Sequence, residues 1–240
     1  MTRIVESALG RHLPALAAYR KVEILGIAGS GKSTLARLLA RDHGLEMAGF
    51  IHARRPAHLL QIVRGVPRLL PILAWGLTSS PRITWPECKL LVYVSRWGRV
   101  LRRQATRAGT TLVFDQGPLY AIVRLQAEAK PFTTRRAFAA WKEEALDRWA
   151  DELDGVVWLD APDDVLWSRI NERPQGHKQK GDEAAAGHRF IARYRQAFEA
   201  VLRTMEELDG PRIVRFDTSV ASVAQIAEKI KPLLEDRHGR

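Results

Sequence analysis

Gly26, Gly31, Lys32 and Ser33 stand at the spacing G-x-x-x-x-G-K-[ST], inside the stretch VEILGIAGSGKSTLARLL that runs from Val22 to Leu39. These residue types suit one kind of chemistry. Glycines let successive backbone N–H groups turn inward around phosphate oxygens without a Cβ clash. A helix N-terminus behind the loop adds partial positive charge. Lys32 has the reach for β- and γ-phosphate oxygens, and the Ser33 hydroxyl is a ligand for Mg2+. Gly29, Ser30 and Thr34 complete the nucleotide-binding set. The pattern carries this meaning only between a strand and a helix, and the apolar run before it and the helical periodicity after it supply that context. The loop implies ATP and Mg2+.

A second chemical group comes from Asp115, at the end of the apolar run TTLVF. A carboxylate at the end of a buried parallel strand faces the ligand crevice, where it can order Mg2+ or take a proton from an attacking hydroxyl. Asp160, in Leu159-Asp160-Ala161-Pro162, is the next strand-end acid. Arg54, Arg55 and Arg96 could grip an anionic acceptor through forked hydrogen bonds. Arg169, Arg173, Lys178 and Lys180 fall in or beside a polar segment expected to close over bound nucleotide, with Arg173 the preferred catalytic member. His177 has no His or Cys at ligand spacing and is expected to shape that segment rather than bind metal.

The elements that must position these groups alternate along the chain. Strands are expected at Lys21–Leu25, Met47–His52, Thr110–Phe114, Val156–Leu159 and Arg212–Phe216. Helices are expected at 2–20, Lys32–His43, His58–Arg64, Arg68–Leu77, Cys88–Ala108, Leu119–Ala129, Thr134–Leu153, Asp163–Glu172, Glu183–Leu208 and Val220–Leu234. Pro67 and Pro71 are expected to bend or restart the chain along the third and fourth of these helices. Such alternation argues an α/β domain with a five-stranded parallel sheet covered on both faces. The whole chain, 1–240, reads as one domain with a helical acceptor-side insertion at about 57–108 and a lid at about 173–183.

Composition bounds the partners. The 240 residues suit one α/β domain, and the single cysteine, Cys88, excludes an intramolecular disulfide and a cysteine-rich zinc site. With no secretory pattern at the start and no span-length apolar run, a cytoplasmic location is expected. The net charge of +11 fits anionic small molecules. The basic residues look dispersed and accompany no nucleic-acid motif, which argues against a nucleic-acid partner. The stretch Leu59–Leu77 reads as a helical wall of the acceptor pocket; a membrane interface is its alternative. A homodimer is left open.

Beyond the phosphate loop, the residues resemble the thymidylate kinase-like branch of the P-loop nucleoside and nucleotide kinases. Ala53-Arg54-Arg55-Pro56 is similar to that family's Thr-Arg-Glu-Pro turn, and Leu90–Arg96 (LLVYVSR) to its Leu-Leu-Phe-Ala-Ala-Asp-Arg helix. Asp115-Gln116 stands where the family carries Asp-Arg. Leu159–Pro162, Phe190–Arg195 and Ile213–Asp217 resemble its fourth strand end, the helix after its lid and its last strand. The resemblance implies sheet order 2-3-1-4-5, an Arg-bearing lid and phosphoryl transfer from ATP to a nucleoside or nucleoside monophosphate. Leu25 and Ala28 replace acidic residues of the family's phosphate loop, Gln116 replaces its Arg, and Arg55 the Glu of the turn. These are substrate-facing positions, so thymidylate is not carried over as the acceptor. Rival readings are a kinase of another hydroxyl compound such as a sugar, and a nucleotide-dependent switch or membrane-associated ATPase.

Overall fold

The computed structural model describes residues 21–42, 45–48, 56–96, 98, 111–172 and 184–234. The expected helix at 2–20, the end of the second strand, Arg54, Arg55, residues 99–108 and the lid at 173–183 lie outside the described residues.

Five parallel strands form the sheet: β1 (Lys21–Gly26), β2 (Glu46–Met47), β3 (Leu112–Asp115), β4 (Gly155–Asp160) and β5 (Arg212–Asp217). Their order is β2-β3-β1-β4-β5, as the resemblance implied. β1 lies at the centre, with Val22 beside Val113 and Ile24 beside Asp115 on one side, and Leu25 beside Trp158 on the other. Period-two alternation divides the strand side chains between two cores. Val22, Ile24, Val113, Val157 and Leu159 face α1 (Lys32–Asp42) and α8 (Val223–Leu234), meeting Leu35, Leu39, Ile226 and Ile230. Leu25, Leu112, Phe114, Val156 and Trp158 belong to the larger core on the opposite face. That core is closed by α2 (Pro56–Thr78), α3 (Trp85–Arg96), α4 (Pro118–Ala127), α5 (Arg136–Glu152) and α7 (Ala184–Glu207). Near the site, α6 (Asp163–Glu172) follows β4.

Two stretches differ from the sequence expectation. Pro67 and Pro71 neither break nor restart the chain, because α2 is one helix through both. Both prolines sit on its exposed side, while Gly65 and Gly76 let its inner side approach α3 and Ile83 closely. The third strand is Leu112–Asp115, so Asp115 is its last residue.

The C-terminal end of α3 is held by α5. Trp149 Nε1 donates to the Val94 carbonyl at 2.9 Å, Arg148 Nη1 to the Ser95 carbonyl at 3.0 Å, and Trp141 Nε1 to Ser95 Oγ at 2.8 Å. These bonds fasten the backbone at the end of α3 to a neighbouring helix. Arg96, the next residue, is thereby placed.

Glu23 lies fully buried in the middle of β1. Its carboxyl accepts N–H bonds from Leu119 (Oε2, 3.0 Å) and Tyr120 (Oε1, 2.9 Å), in the first turn of α4. A Cβ at Gly117 would fall 2.7 Å from the Glu23 carboxyl carbon, so that turn closes only around glycine. Burial pushes the Glu23 carboxyl up from an ordinary 4.5 to about 8, against the lowering pull of the backbone N–H groups. Between those values the folded chain holds a proton that the unfolded chain releases. This contribution to stability is complete below pH 4.5 and is lost as pH rises through 8, with a slope of at most about 1.4 kcal/mol per pH unit. Glu23→Gln, which cannot accept with both terminal atoms, should cost ~1–3 kcal/mol at pH 6 and flatten that slope. Thermal melts from pH 5 to 9 check this; a variant with the wild-type slope would assign the titration elsewhere.

Candidate active site

The site forms at the C-terminal edge of β1 and β3. β1 ends at Gly26, and the chain passes through Gly29, Ser30 and Gly31 before Lys32, Ser33 and Thr34 open α1. Gly29 and Gly31 have φ of 91° and 88°, a region that favours glycine. The loop is tight: Ser30 N–H donates to the Ile27 carbonyl at 3.1 Å, and a Cβ at Gly26 would fall 2.8 Å from the Leu159 carbonyl oxygen. Ser30 Oγ is buried without a hydrogen-bond partner among the described residues. Thr34 N–H and Leu35 N–H turn back to the Gly31 carbonyl at 3.0 and 2.9 Å, which starts the helix directly behind the loop.

Lys32 is buried, and its ammonium lies 5.7 Å from the centroid of the Tyr120 ring. The Tyr120 phenol also feels Asp115: burial raises its pKa most, and the Asp115 carboxylate adds to the rise. Tyr120 is therefore the common neighbour of the loop lysine and the strand-end acid. Sequence reading passed over this residue; its only signal was an aromatic one turn into the helix after Asp115. Gln116, next to Asp115, is exposed and adopts φ 64°, turning the chain sharply toward α4.

The two strand-end acids differ in what holds them. Asp160 is gripped by Arg195, with Nε to Oδ2 at 2.8 Å and Nη2 to Oδ1 at 3.2 Å, and Arg195 also binds Asp163 and the Ala161 carbonyl. Asp115 Oδ1 is buried with no hydrogen-bond partner among the described residues. A carboxylate oxygen buried without a donor is costly unless a ligand completes it. Asp115 and the Ser33 hydroxyl fit a Mg2+ that takes its other ligands from water and phosphate oxygens.

Arg169 is bound differently from what its place in the sequence suggested. Its Nη1 donates to Thr218 Oγ1 at 2.9 Å and to the Gly29 carbonyl at 3.4 Å, and Nη2 to the Thr218 carbonyl at 2.8 Å. It ties the phosphate loop to the segment after β5. Arg96, at the end of α3, lies against Gly65 of α2; the pKa of nearby Arg148 is lowered chiefly by burial, and the Arg96 charge adds to that fall. Arg54, Arg55, Arg173, His177, Lys178 and Lys180 lie outside the described residues.

Among solved structures, a thymidylate kinase from Candida albicans is 16% identical with a TM-score of 0.56, covering 90% of this chain and 90% of that one. A deoxyadenosine kinase from M. mycoides with bound dATP is 14% identical with a TM-score of 0.52, covering 90% of this chain and all of that one. The fold is that of the P-loop kinases. Among curated proteins, a 5-hmdU DNA kinase of Pseudomonas phage M6 is 24% identical over 211 residues, 87% of this chain and 98% of its own length. No protein-family model matches the chain.

The geometry separates the two carboxylates by what holds them. Asp115→Asn should lower turnover by ~10²–10⁴-fold with nucleotide affinity little changed. Asp160→Asn should weaken the Arg195 contacts and lower the melting temperature while leaving turnover within a few-fold. Steady-state rates and melting curves of both variants check this; equal catalytic losses would contradict the separation.

Proposed function

We propose that this chain is a Mg·ATP-dependent phosphotransferase that moves the γ-phosphoryl group onto a hydroxyl of a nucleoside or nucleotide. The observation that carries this reading is that Lys32 and Asp115 share Tyr120 as a neighbour, with Asp115 Oδ1 buried and without a hydrogen-bond partner among the described residues. The nucleoside and nucleotide kinases among its structural neighbours support the acceptor class.

Each group has a role. The loop N–H groups and the N-terminus of α1 hold the β- and γ-phosphate oxygens, and Lys32 neutralises charge on them. Bound Mg2+ would draw off negative charge from the same oxygens, held through Ser33 and Asp115. Asp115 takes the proton of the acceptor hydroxyl as its oxygen bonds to the γ-phosphorus and the bond from that phosphorus to the bridging oxygen breaks, releasing ADP. Arg96 and Gln116 bind the acceptor, with Arg54 and Arg55 expected on the same side; the arginines suit an acceptor carrying an anionic group. Arg173 and the segment to residue 183 are assigned to closing over ATP. A nucleotide within DNA is the second acceptor class, supported by the DNA kinase that matches this chain over nearly its full length.

A coupled ADP-release assay over nucleosides, nucleoside monophosphates, sugars and a duplex oligonucleotide tests this. ADP release should depend on a nucleoside or nucleotide acceptor and vanish in Lys32→Ala. A charge-assisted hydrogen bond contributes ~1.5–3 kcal/mol, so Arg96→Ala should lower kcat/KM for the best acceptor roughly 10- to 150-fold. Acceptor-independent ADP release, or wild-type turnover in Lys32→Ala, would refute the reading.

A further inference from the structure

Charge and apolar exposure are both distributed unevenly along this chain, and they fall in the same stretch of sequence. Residues 51–110 carry eleven Lys and Arg residues and one acidic residue, Glu87, so all but one of the chain's net +11 charges fall in this segment. The basic residues that look dispersed along the chain are therefore balanced by acids everywhere except here. Glu87 is itself buried and ion-paired with Lys130 at 2.8 Å, which removes it from the surface.

The same segment contains α2, whose surface divides sharply. Leu69, Ile72, Gly65 and Gly76 are buried on the inner side, so the expected packing wall accounts for half of the helix. On the outer side Leu60, Val63, Leu70 and Leu77 are 47–59% exposed, and Pro67 and Ala74 between them are exposed as well. Positions 60, 63, 67, 70, 74 and 77 recur at intervals of three and four, which aligns them in one apolar stripe. Arg64 and Arg68, with the exposed ring of Trp75, run along one flank of the stripe. Trp85, 58% exposed, follows at the start of α3. Among the described residues eight large hydrophobic side chains are exposed, and five of them are on α2.

We infer that the outer face of α2 docks on an anionic bilayer surface, with the stripe at the acyl boundary and the arginines at headgroup level. Aliphatic side chains in a row, flanked by cations and an exposed Trp, match the two forces that hold an interfacial helix: apolar burial and attraction to anionic lipid. A second copy of the chain is a poor occupant, because a two-fold contact would bring two strongly cationic segments together. Nucleic acid would engage the arginines but leave the aliphatic row in water. The helix lies on the surface rather than through it: no helix among the described residues is long and apolar enough to cross a membrane. The Val63 and Pro67 carbonyls, which lose their intrahelical donors to Pro67 and Pro71, remain within reach of interfacial water. Opposing charge is limited. Glu144 of α5 lies 3.7 Å from Arg68, with both side chains largely exposed, and Arg135 stacks 3.8 Å from the Trp75 ring centroid.

The test is co-sedimentation of the full chain with phosphatidylcholine vesicles and with 3:1 phosphatidylcholine:phosphatidylglycerol vesicles, alongside the Leu70→Glu/Leu77→Glu double variant. Both leucines are exposed and lie outside the nucleotide site, so nucleotide affinity and melting temperature should match wild type and certify the fold. Wild type should bind the anionic vesicles, bind phosphatidylcholine at least tenfold less, and be released progressively by salt; the variant should lose at least tenfold in partitioning. Arg64→Gln/Arg68→Gln should bind the anionic vesicles more weakly and release at lower salt. The proposal fails if wild type remains unbound, if the leucine variant binds as wild type does, or if the leucines matter only for self-association in sedimentation velocity. It fails equally if a duplex oligonucleotide displaces the protein from vesicles and binds the leucine variant undiminished. None of these readings depends on phosphoryl transfer, so a failed acceptor screen leaves the surface assignment standing, and the reverse.

Discussion

The two hydrogen bonds from the first turn of α4 to the Glu23 carboxyl tie together the parts on which the site depends. β1 carries Glu23 at its middle and Gly26 at its end, so it sets where the phosphate loop begins. α4 carries Tyr120, and the turn before it carries Asp115 and Gln116. A buried carboxyl in the central strand thus fixes the loop that would hold the donor phosphates against the acid that would serve the acceptor. Placing such a group inside a sheet is costly, and the N–H groups of Leu119 and Tyr120, with the close approach and N–H of Gly117, offset that cost.

Around that anchor the molecule spends its other polar contacts on holding elements rather than on chemistry. Arg195 locks Asp160 to the start of α6, Arg169 locks the phosphate loop to Thr218, and three α5 side chains hold the end of α3. Asp115 Oδ1 and Ser30 Oγ are among the buried atoms without a hydrogen-bond partner in the described residues. Both belong to the crevice at the strand ends, where this architecture receives ligands.

Much of this was legible in the residues. The phosphate loop, the parallel sheet and the strand-end position of Asp115 follow from glycine spacing and from apolar runs alternating with helical periodicity, while the strand order came only from the family resemblance. Glu23 was not legible, because a charge inside an apolar run carries no mark of the backbone N–H groups it will meet across the sheet. Arg169 was misjudged for the opposite reason: an arginine near a polar segment looks mobile until its backbone partners are seen. Pro67 and Pro71 suggested a break in α2, yet their exposed side lets the freed carbonyls meet solvent, and the packed inner side keeps the helix whole. The uneven charge of residues 51–110 was present in the sequence but gained meaning only once α2 showed an exposed apolar row beside it.

The central claim is that the γ-phosphoryl group leaves ATP for an organic hydroxyl. Its fate can be followed directly with γ-labelled ATP, by separating acid-stable phosphate esters from inorganic phosphate after incubation with a nucleoside, a nucleoside monophosphate or DNA. The account predicts label in an ester of one of these acceptors, in proportion to ADP formed. Label appearing solely as inorganic phosphate, at the same rate with or without acceptor, would contradict it and leave a nucleotide hydrolase on a kinase fold.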